Sequence, residues 1–185
     1  MVLTALQRQL LYFPETAPED TLLRIAAANG MQDWRDSNDG LIGWRTPAAD
    51  REARRVVVFH GNAGHALYRK YFADGFLAMG EDWQVYLFEY PGYGARQGSP
   101  SEGDIKSAAT EAVETLLAED SRPLYLVGES LGSGVATYLA GAMPDRIAGL
   151  LLVTPFTSLT DVAAGHYAFL PVRALLRERY DSVVA

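Results

Sequence analysis

The feature that most constrains the fold is a series of apolar runs separated by segments with helical spacing. The four runs are RRVVVFH (54–60), WQVYLFEY (83–90), PLYLVG (123–128) and IAGLLLVTP (147–155). Continuous apolar runs of this length are typical of strands buried on both faces of a parallel sheet. The chain therefore predicts an α/β domain in which a mostly parallel sheet carries helices on both faces.

Three helices are predicted between these runs. The first spans 65–79, with the aromatic residues at helical spacing being Tyr68, Tyr71, Phe72 and Phe76. The second is opened by Ser101 and Asp104, which are spaced like a capping box, and its apolar face begins at Ile105. The third spans 130–142. The segment 159–180 has the pattern of one or two short helices broken at Pro171.

An antiparallel hairpin is predicted ahead of the parallel sheet. The segment MQDWRDSNDGLIGWRTP (31–47) contains two strand patterns, and Asp39-Gly40 is a tight-turn signal between them. No repeat, low-complexity tract or linker divides the chain, and 185 residues suit one domain. We therefore expect residues 1–185 to belong to a single domain.

Charge and composition exclude several classes of function. The net charge of −7 and the lack of any long basic run argue against nucleic acid as a partner. Without cysteine, the chain has no disulfide, thiolate metal site or thiol nucleophile. No apolar stretch approaches the roughly 20 residues that span a bilayer. Residues 1–13 lack the features of a signal peptide and predict an amphipathic segment, which packs on the domain or touches a membrane surface.

A serine lies at the corner between the third apolar run and the third helix. The pentapeptide around Ser130 fits G-x-S-x-G, in which a strained serine leaves no room for side chains two residues away, so Gly128 and Gly132 stand there. The N–H of Leu131 would point towards an oxyanion, and Gly134 would let helix and sheet approach closely. The alternative is an ordinary glycine-rich turn without a catalytic role.

Several loops fall at one edge of the predicted sheet. The turn HGNAG (60–64), the turn PGYG (91–94), the Ser130 corner and the segment 155–159 all follow the carboxyl ends of strands. Ligand sites in open α/β sheets lie beyond these ends. No phosphate-loop motif and no G-x-G-x-x-G pattern is present, so a nucleotide site is not indicated. This edge is the predicted functional site.

Four motifs in order resemble the α/β-hydrolase superfamily. They are VVVFHGNAGH, LFEYPGYGARQGSPSEGDI, LYLVGESLGSGVA and LLLVTPFTSLTDVA, and the likeness runs from about Gln9 to the last residue. The branch that the sequence resembles most is the small serine hydrolases with an HGNAG loop, relatives of membrane-associated lipid hydrolases and protein depalmitoylases. The resemblance implies cofactor-free, metal-free hydrolysis of a small-molecule or lipid acyl ester or thioester, with Ser130 as nucleophile. It also implies a protein of the cytoplasm or of a membrane periphery.

The resemblance extends to individual residues of the HGNAG loop. It implies that the backbone N–H groups of Asn62 and Leu131 form the oxyanion hole. His60 is expected to support this loop through hydrogen bonds, and Gly61 and Gly64 allow its tight turn. Tyr93 is a candidate for the pocket wall, with a plain turn residue as the alternative. His65 lines the pocket or occupies a cap or surface position.

The order of a hydrolase triad is serine, then an acid, then histidine. After Ser130, only His166 follows as a histidine, in a context that does not resemble a catalytic loop, and Asp161 resembles a helix-start residue. We therefore expect the acid and the histidine outside these residues, the last strands of the fold to be missing, and this chain to be an inactive fragment. Its run 147–155 would then be an apolar sheet edge. The alternative is a non-catalytic hydrolase-like binding module.

Overall fold

The computed structural model describes residues 11–47, 52–80 and 82–158, together with Glu178 and Tyr180. Within these ranges the strands are β1 (Phe13–Pro14), β2 (Gln32–Arg35), β3 (Leu41–Arg45), β4 (Arg54–Phe59), β5 (Ala63–Gly64), β6 (Trp83–Phe88), β7 (Leu124–Glu129) and β8 (Ile147–Val153). The α-helices are α1 (Glu19–Ala28), α2 (Lys70–Ala78), α3 (Glu102–Glu119) and α4 (Leu131–Ala142). Two short 3-10 helices cover Ala66–Arg69 and Pro144–Arg146.

The main sheet has the strand order β2-β3-β6-β4-β7-β8. Strand β4 pairs in parallel with β6 and β7, and β7 pairs in parallel with β8. Strands β2 and β3 form an antiparallel hairpin, which joins the sheet through an antiparallel β3–β6 pairing. The predicted mostly parallel sheet with a preceding hairpin is therefore confirmed. Strands β1 and β5 form a separate two-stranded parallel pair.

Side chains of β4 alternate between two cores, one on each face of the sheet. Val57 and Phe59 belong to a cluster that includes residues of α3 and α4. Val56 and Val58 belong to a second cluster that includes residues of α1 and α2. All four side chains are buried, which is why this strand is apolar at consecutive positions rather than at alternate ones. Helices cover both faces of the sheet, as predicted.

Local signals place the hairpin turn and the start of α3. Asp36 Oδ1 accepts hydrogen bonds from the N–H groups of Asn38 and Gly40, while Asp39 takes a positive φ of 64°. At α3, the Ser101 hydroxyl accepts a hydrogen bond of 3.1 Å from the N–H of Asp104. Both predictions are confirmed. The turn and the cap each satisfy backbone groups that would otherwise lack partners.

A buried arginine joins β4 to the end of α3. The guanidinium of Arg55 donates hydrogen bonds of 2.6–2.7 Å to the backbone carbonyls of Leu116, Asp120 and Arg122. Burial lowers the pKa of Arg55 from its ordinary value. The carbonyls lie at and just after the C-terminus of α3: that of Leu116 also accepts from the N–H of Asp120, and those of Asp120 and Arg122 lie beyond the last residue of the helix. This side chain therefore fixes the connection between α3 and β7.

The predicted helix over 65–79 forms in two parts. It starts as the 3-10 helix Ala66–Arg69 and continues as α2. Of the aromatic residues at helical spacing, Tyr68 and Tyr71 are 51% and 53% exposed, whereas Phe72 and Phe76 pack against the second core cluster. A 3-10 turn has about 3.0 residues rather than 3.6, which rotates the following positions about the axis. Ala66, Leu67 and Ala73 occupy the fully buried positions.

Strand β8 is the last strand of the sheet in the part of the chain that the structure describes. Its side chains Leu150 and Leu151 are 40% and 50% exposed. The predicted helices of 159–180 lie outside the described residues apart from Glu178 and Tyr180.

Candidate active site

Ser130 connects β7 to α4 in a strained backbone conformation. Its φ of 48° and ψ of −114° lie in a region that residues with a Cβ rarely adopt. Its N–H donates to Val153 O at 2.9 Å, and its carbonyl accepts from the N–H and the hydroxyl of Ser133 at 2.8 and 2.6 Å. The side chain is half-buried, and its hydroxyl makes no hydrogen bond to any described residue. Hydrogen bonds to the N–H and to the carbonyl of Ser130 therefore hold the strained backbone in place, and they leave its hydroxyl available to react.

The flanking glycines have no space for a side chain. A Cβ on Gly128 would lie 2.6 Å from the Cα of Ser133, and a Cβ on Gly132 would lie 2.5 Å from the carbonyl carbon of Phe59. The start of α4 thus packs directly on backbone, as the motif predicts. The predicted close approach of Gly134 to the sheet is wrong. A Cβ there would lie 3.0 Å from the side chain of Tyr180 rather than against the sheet.

The HGNAG loop lies between β4 and the 3-10 helix and is held by side chains around Asn62. Tyr93 donates a hydrogen bond of 2.8 Å from its hydroxyl to the Asn62 carbonyl. The Asn62 side chain donates through Nδ2 to the carbonyl of Leu11. Among the described residues, the backbone N–H groups of Asn62 and Leu131 donate no hydrogen bond. Both groups that were predicted to form an oxyanion hole are thus without protein partners in this part of the chain.

Tyr93 lies behind this loop. Its side chain is fully buried and packs within the protein, and its place in a pocket wall stays a prediction. Burial raises the pKa of Tyr93 well above its ordinary value, which keeps the hydroxyl protonated as a donor. Its contact with Asn62 makes it a support of the loop.

His60 is buried at the base of the loop. Its Nδ1 lies 2.7 Å from the Gly61 carbonyl, and its Nε2 lies 3.2 Å from Glu89 Oε1 at an angle that makes no hydrogen bond. The Tyr90 hydroxyl donates to the His60 carbonyl at 2.6 Å, and the two rings lie 4.0 Å apart. These contacts are those of a residue that supports the loop.

His65 stands at the N-cap of the 3-10 helix Ala66–Arg69 and is buried, so a surface position is wrong. Its ring lies 4.0 Å from that of Tyr68, and its Nδ1 has no hydrogen-bond partner among the described residues. Burial lowers the pKa of His65 below its ordinary value. The neutral ring is therefore favoured at this position.

Sequence reasoning missed two acidic residues at the site. Glu89 is fully buried and accepts hydrogen bonds of 3.0 and 3.1 Å from the N–H of Ala66. Glu129 Oε2 accepts from the N–H of Gly61 at 3.2 Å and from Arg69 Nε at 2.7 Å. The available signal was an acidic residue at the end of each of two apolar runs, where burial requires a partner.

The described residues hold no group of three or more histidine, cysteine or acidic side chains arranged to bind a metal ion. In the same ranges, no helix is both long enough and apolar enough to cross a membrane. Asp161 and His166, the two residues considered for the rest of a triad, lie outside the described residues.

The fold and the serine corner together define a class of protein. A family model described as "alpha/beta hydrolase fold" matches residues 54–185, and the chain belongs to this family. The chain is 37% identical, over 99% of its length, to an uncharacterized protein of Mycobacterium tuberculosis, strain H37Rv, and spans 66% of that relative. It is 31% identical, over 75% of its length, to lysophosphatidylserine lipase ABHD12 of Danio rerio, and spans 38% of that protein.

A solved structure agrees with this assignment. The alpha-beta hydrolase from Vibrio vulnificus superposes with a TM-score of 0.72 over 97% of this chain and 70% of its own. At 21% sequence identity, this likeness shows the fold alone.

Proposed function

We propose that this chain carries the nucleophile and oxyanion hole of a serine hydrolase of the HGNAG-loop branch. The observation that carries the proposal is the strained backbone of Ser130. Within the described ranges its hydroxyl makes no hydrogen bond, and the N–H of the next residue, Leu131, donates none. The Gly61–Glu129 hydrogen bond brings the loop that contains Asn62 to the same strand end. Strain of this kind at a half-buried serine is expected of a nucleophile elbow.

The proposed reaction has two steps. The Ser130 hydroxyl attacks an acyl carbonyl, its Oγ–carbon bond forms, and a general base accepts the proton. The tetrahedral oxyanion accepts hydrogen bonds from the N–H groups of Asn62 and Leu131, each worth about 3 kcal/mol in the transition state. The intermediate expels an alcohol or thiol, which takes up the proton, and leaves an acyl-serine. Water then attacks the acyl-serine and releases the carboxylic acid.

The general base and its orienting acid are proposed to lie outside these 185 residues. Support comes from the lengths of the relatives, since the chain spans 66% and 63% of two mycobacterial proteins. On this proposal, residues 1–185 form the first part of one hydrolase domain and do not turn over substrate by themselves. Without a base, the serine keeps its proton and is a weak nucleophile.

The substrate is proposed to be an acyl ester or thioester of a lipid or small molecule. The support is the likeness to ABHD12, a lysophosphatidylserine lipase. A lipid substrate agrees with a protein that works in the cytoplasm or at the periphery of a membrane.

The test uses the full-length natural polypeptide and a fluorophosphonate probe, which labels activated serines. We expect labelling of Ser130, together with hydrolysis of p-nitrophenyl butyrate, and loss of both in Ser130→Ala. Ser107→Ala is the matched control, because this serine is exposed on α3 away from the corner. Hydrolysis that persists in Ser130→Ala would refute the proposal.

A second candidate is a non-catalytic binding module. It is favoured by one observation, namely that no described side chain accepts the Ser130 proton. If the full-length protein binds an acyl ligand but neither hydrolyses esters nor reacts with the probe, this second function is the correct one.

A further inference from the structure

A carboxylate–guanidinium pair joins the HGNAG loop to the end of β7. Glu129 Oε2 accepts hydrogen bonds from the N–H of Gly61 (3.2 Å) and from Arg69 Nε (2.7 Å). Arg69 Nη1 also donates to the carbonyl of Ala63 at 3.0 Å. The Arg69 and Glu129 side chains are 14% and 22% exposed, so solvent screens the pair only in part. The bonds therefore reach the residues on both sides of Asn62.

This pair spans the two parts of the proposed oxyanion hole. Glu129 lies on the β7 side, two residues before Leu131, and Gly61 lies in the loop, one residue before Asn62. The loop itself has little regular structure, since β5 is only two residues long and pairs with the equally short β1. Two donors must be held to about 0.5 Å to bind one oxygen well. A side-chain bridge between the two segments supplies that constraint.

The guanidinium also balances charge. A carboxylate one residue before Ser130 would oppose the negative charge that develops on the substrate oxygen. The Arg69 guanidinium binds this carboxylate directly, and its fork reaches Glu129 and the Ala63 carbonyl together. A lysine at the same place would bring the charge but could not reproduce the fork.

We propose that Arg69 and Glu129 are positioning residues that fix the HGNAG loop relative to Ser130 and so set the oxyanion hole. The inference rests on the proposed function of Ser130, and it assigns to the pair an effect on the transition state rather than on substrate binding. Two variants test the bridge: Glu129→Ala removes it, and Glu129→Gln keeps an acceptor for Gly61.

The first measurement is steady-state kinetics of the full-length natural polypeptide with p-nitrophenyl butyrate. Removing one oxyanion donor costs about 100–1,000-fold in kcat, and a displaced donor retains part of its effect, so Glu129→Ala should lose about 10-fold or more. KM should change little, and Glu129→Gln should recover to within about 3-fold of wild type. Asp20→Asn is the control, since it removes a carboxylate that pairs with Arg24 on α1.

The second measurement compares this ester with its thionoester. Sulfur accepts hydrogen bonds more weakly than oxygen, so an intact oxyanion hole favours the ester. Glu129→Ala should lower the ester-to-thionoester ratio of kcat/KM, whereas a loss of folded protein would lower both rates equally. An unchanged ratio in Glu129→Ala, with Ser130-dependent activity in the wild type, would overturn the inference and leave the proposed function intact.

A third measurement does not require activity. Hydrogen exchange of the backbone amides in 60–64 should accelerate in Glu129→Ala and Arg69→Ala, and should stay unchanged in Asp20→Asn. Equal exchange in all variants would show that the pair does not hold the loop, and would overturn the inference. Absence of Ser130-dependent hydrolysis in the wild type would instead overturn the proposed function and, with it, the catalytic role of the pair.

Discussion

Replacement of Ser130 by glycine is expected to stabilise the protein while it removes the proposed nucleophile. The backbone of this residue, at φ 48° and ψ −114°, costs a side chain with a Cβ about 1–3 kcal/mol. Glycine avoids that cost, but it loses about 0.5–1 kcal/mol more conformational freedom on folding. Ser130→Gly should therefore be more stable than Ser130→Ala by about 1 kcal/mol. Comparison with alanine cancels the loss of the hydroxyl, which both variants share.

The assay is urea unfolding of both variants, with Ser133 as the matched site. Ser133 lies in the first turn of α4 with ordinary helical geometry. Ser133→Gly should therefore be less stable than Ser133→Ala by up to about 1 kcal/mol, the opposite sign. In thermal unfolding, a difference of 1 kcal/mol corresponds to about 2–4 °C for a domain of this size. If Ser130→Gly is no more stable than Ser130→Ala, the argument from backbone strain is refuted.

Two further predictions concern the packing of the fold, each with a matched variant. Gly132→Ala should destabilise the fold by about 3 kcal/mol or more, because its Cβ meets the backbone of Phe59. Gly75→Ala on α2, where no atom lies within 4 Å of a new Cβ, should stabilise it by about 0.5–1 kcal/mol in the same thermal assay. Arg55→Ala should cost about 3 kcal/mol in urea unfolding, since the buried guanidinium makes three hydrogen bonds to backbone carbonyls and each contributes about 1 kcal/mol. Arg54→Ala, at an exposed ion pair, should cost less than about 1 kcal/mol. Equal losses for the two arginine variants would contradict this account.

The main sheet could be predicted because its signals are local. Each of the four core strands is an apolar run bounded by turn residues, and the hairpin carries its own turn dipeptide. Helix α1 was missed, although Pro18 stands at its N-cap and Glu19 and Asp20 lie in its first turn. Its buried residues are Leu22 and Ala26, with Leu23 partly buried against the same cluster, so its apolar face is short. The β1–β5 pair has no periodic signal at all, since each strand has two residues.

The candidate site also has one part with a local sequence signal and one part without it. The serine corner is encoded locally, because Gly128 and Gly132 are required by the turn itself. The supports of the HGNAG loop are not, because Glu129 and Arg69 are separated by 60 positions in the chain. Their partnership depends on which strands are neighbours, and that order emerges only from the folded sheet.

The order of the strands explains why the supports converge on one loop. The HGNAG loop follows β4, which lies between β6 and β7 in the sheet. Tyr90 and Tyr93 follow β6 and bond to the loop from one side, while Glu129 ends β7 and bonds to it from the other. The loop thus receives contacts from both neighbours of its own strand. A substitution that shifts β6 or β7 should therefore move the proposed oxyanion donors without touching the substrate, because the same hydrogen bonds transmit the shift.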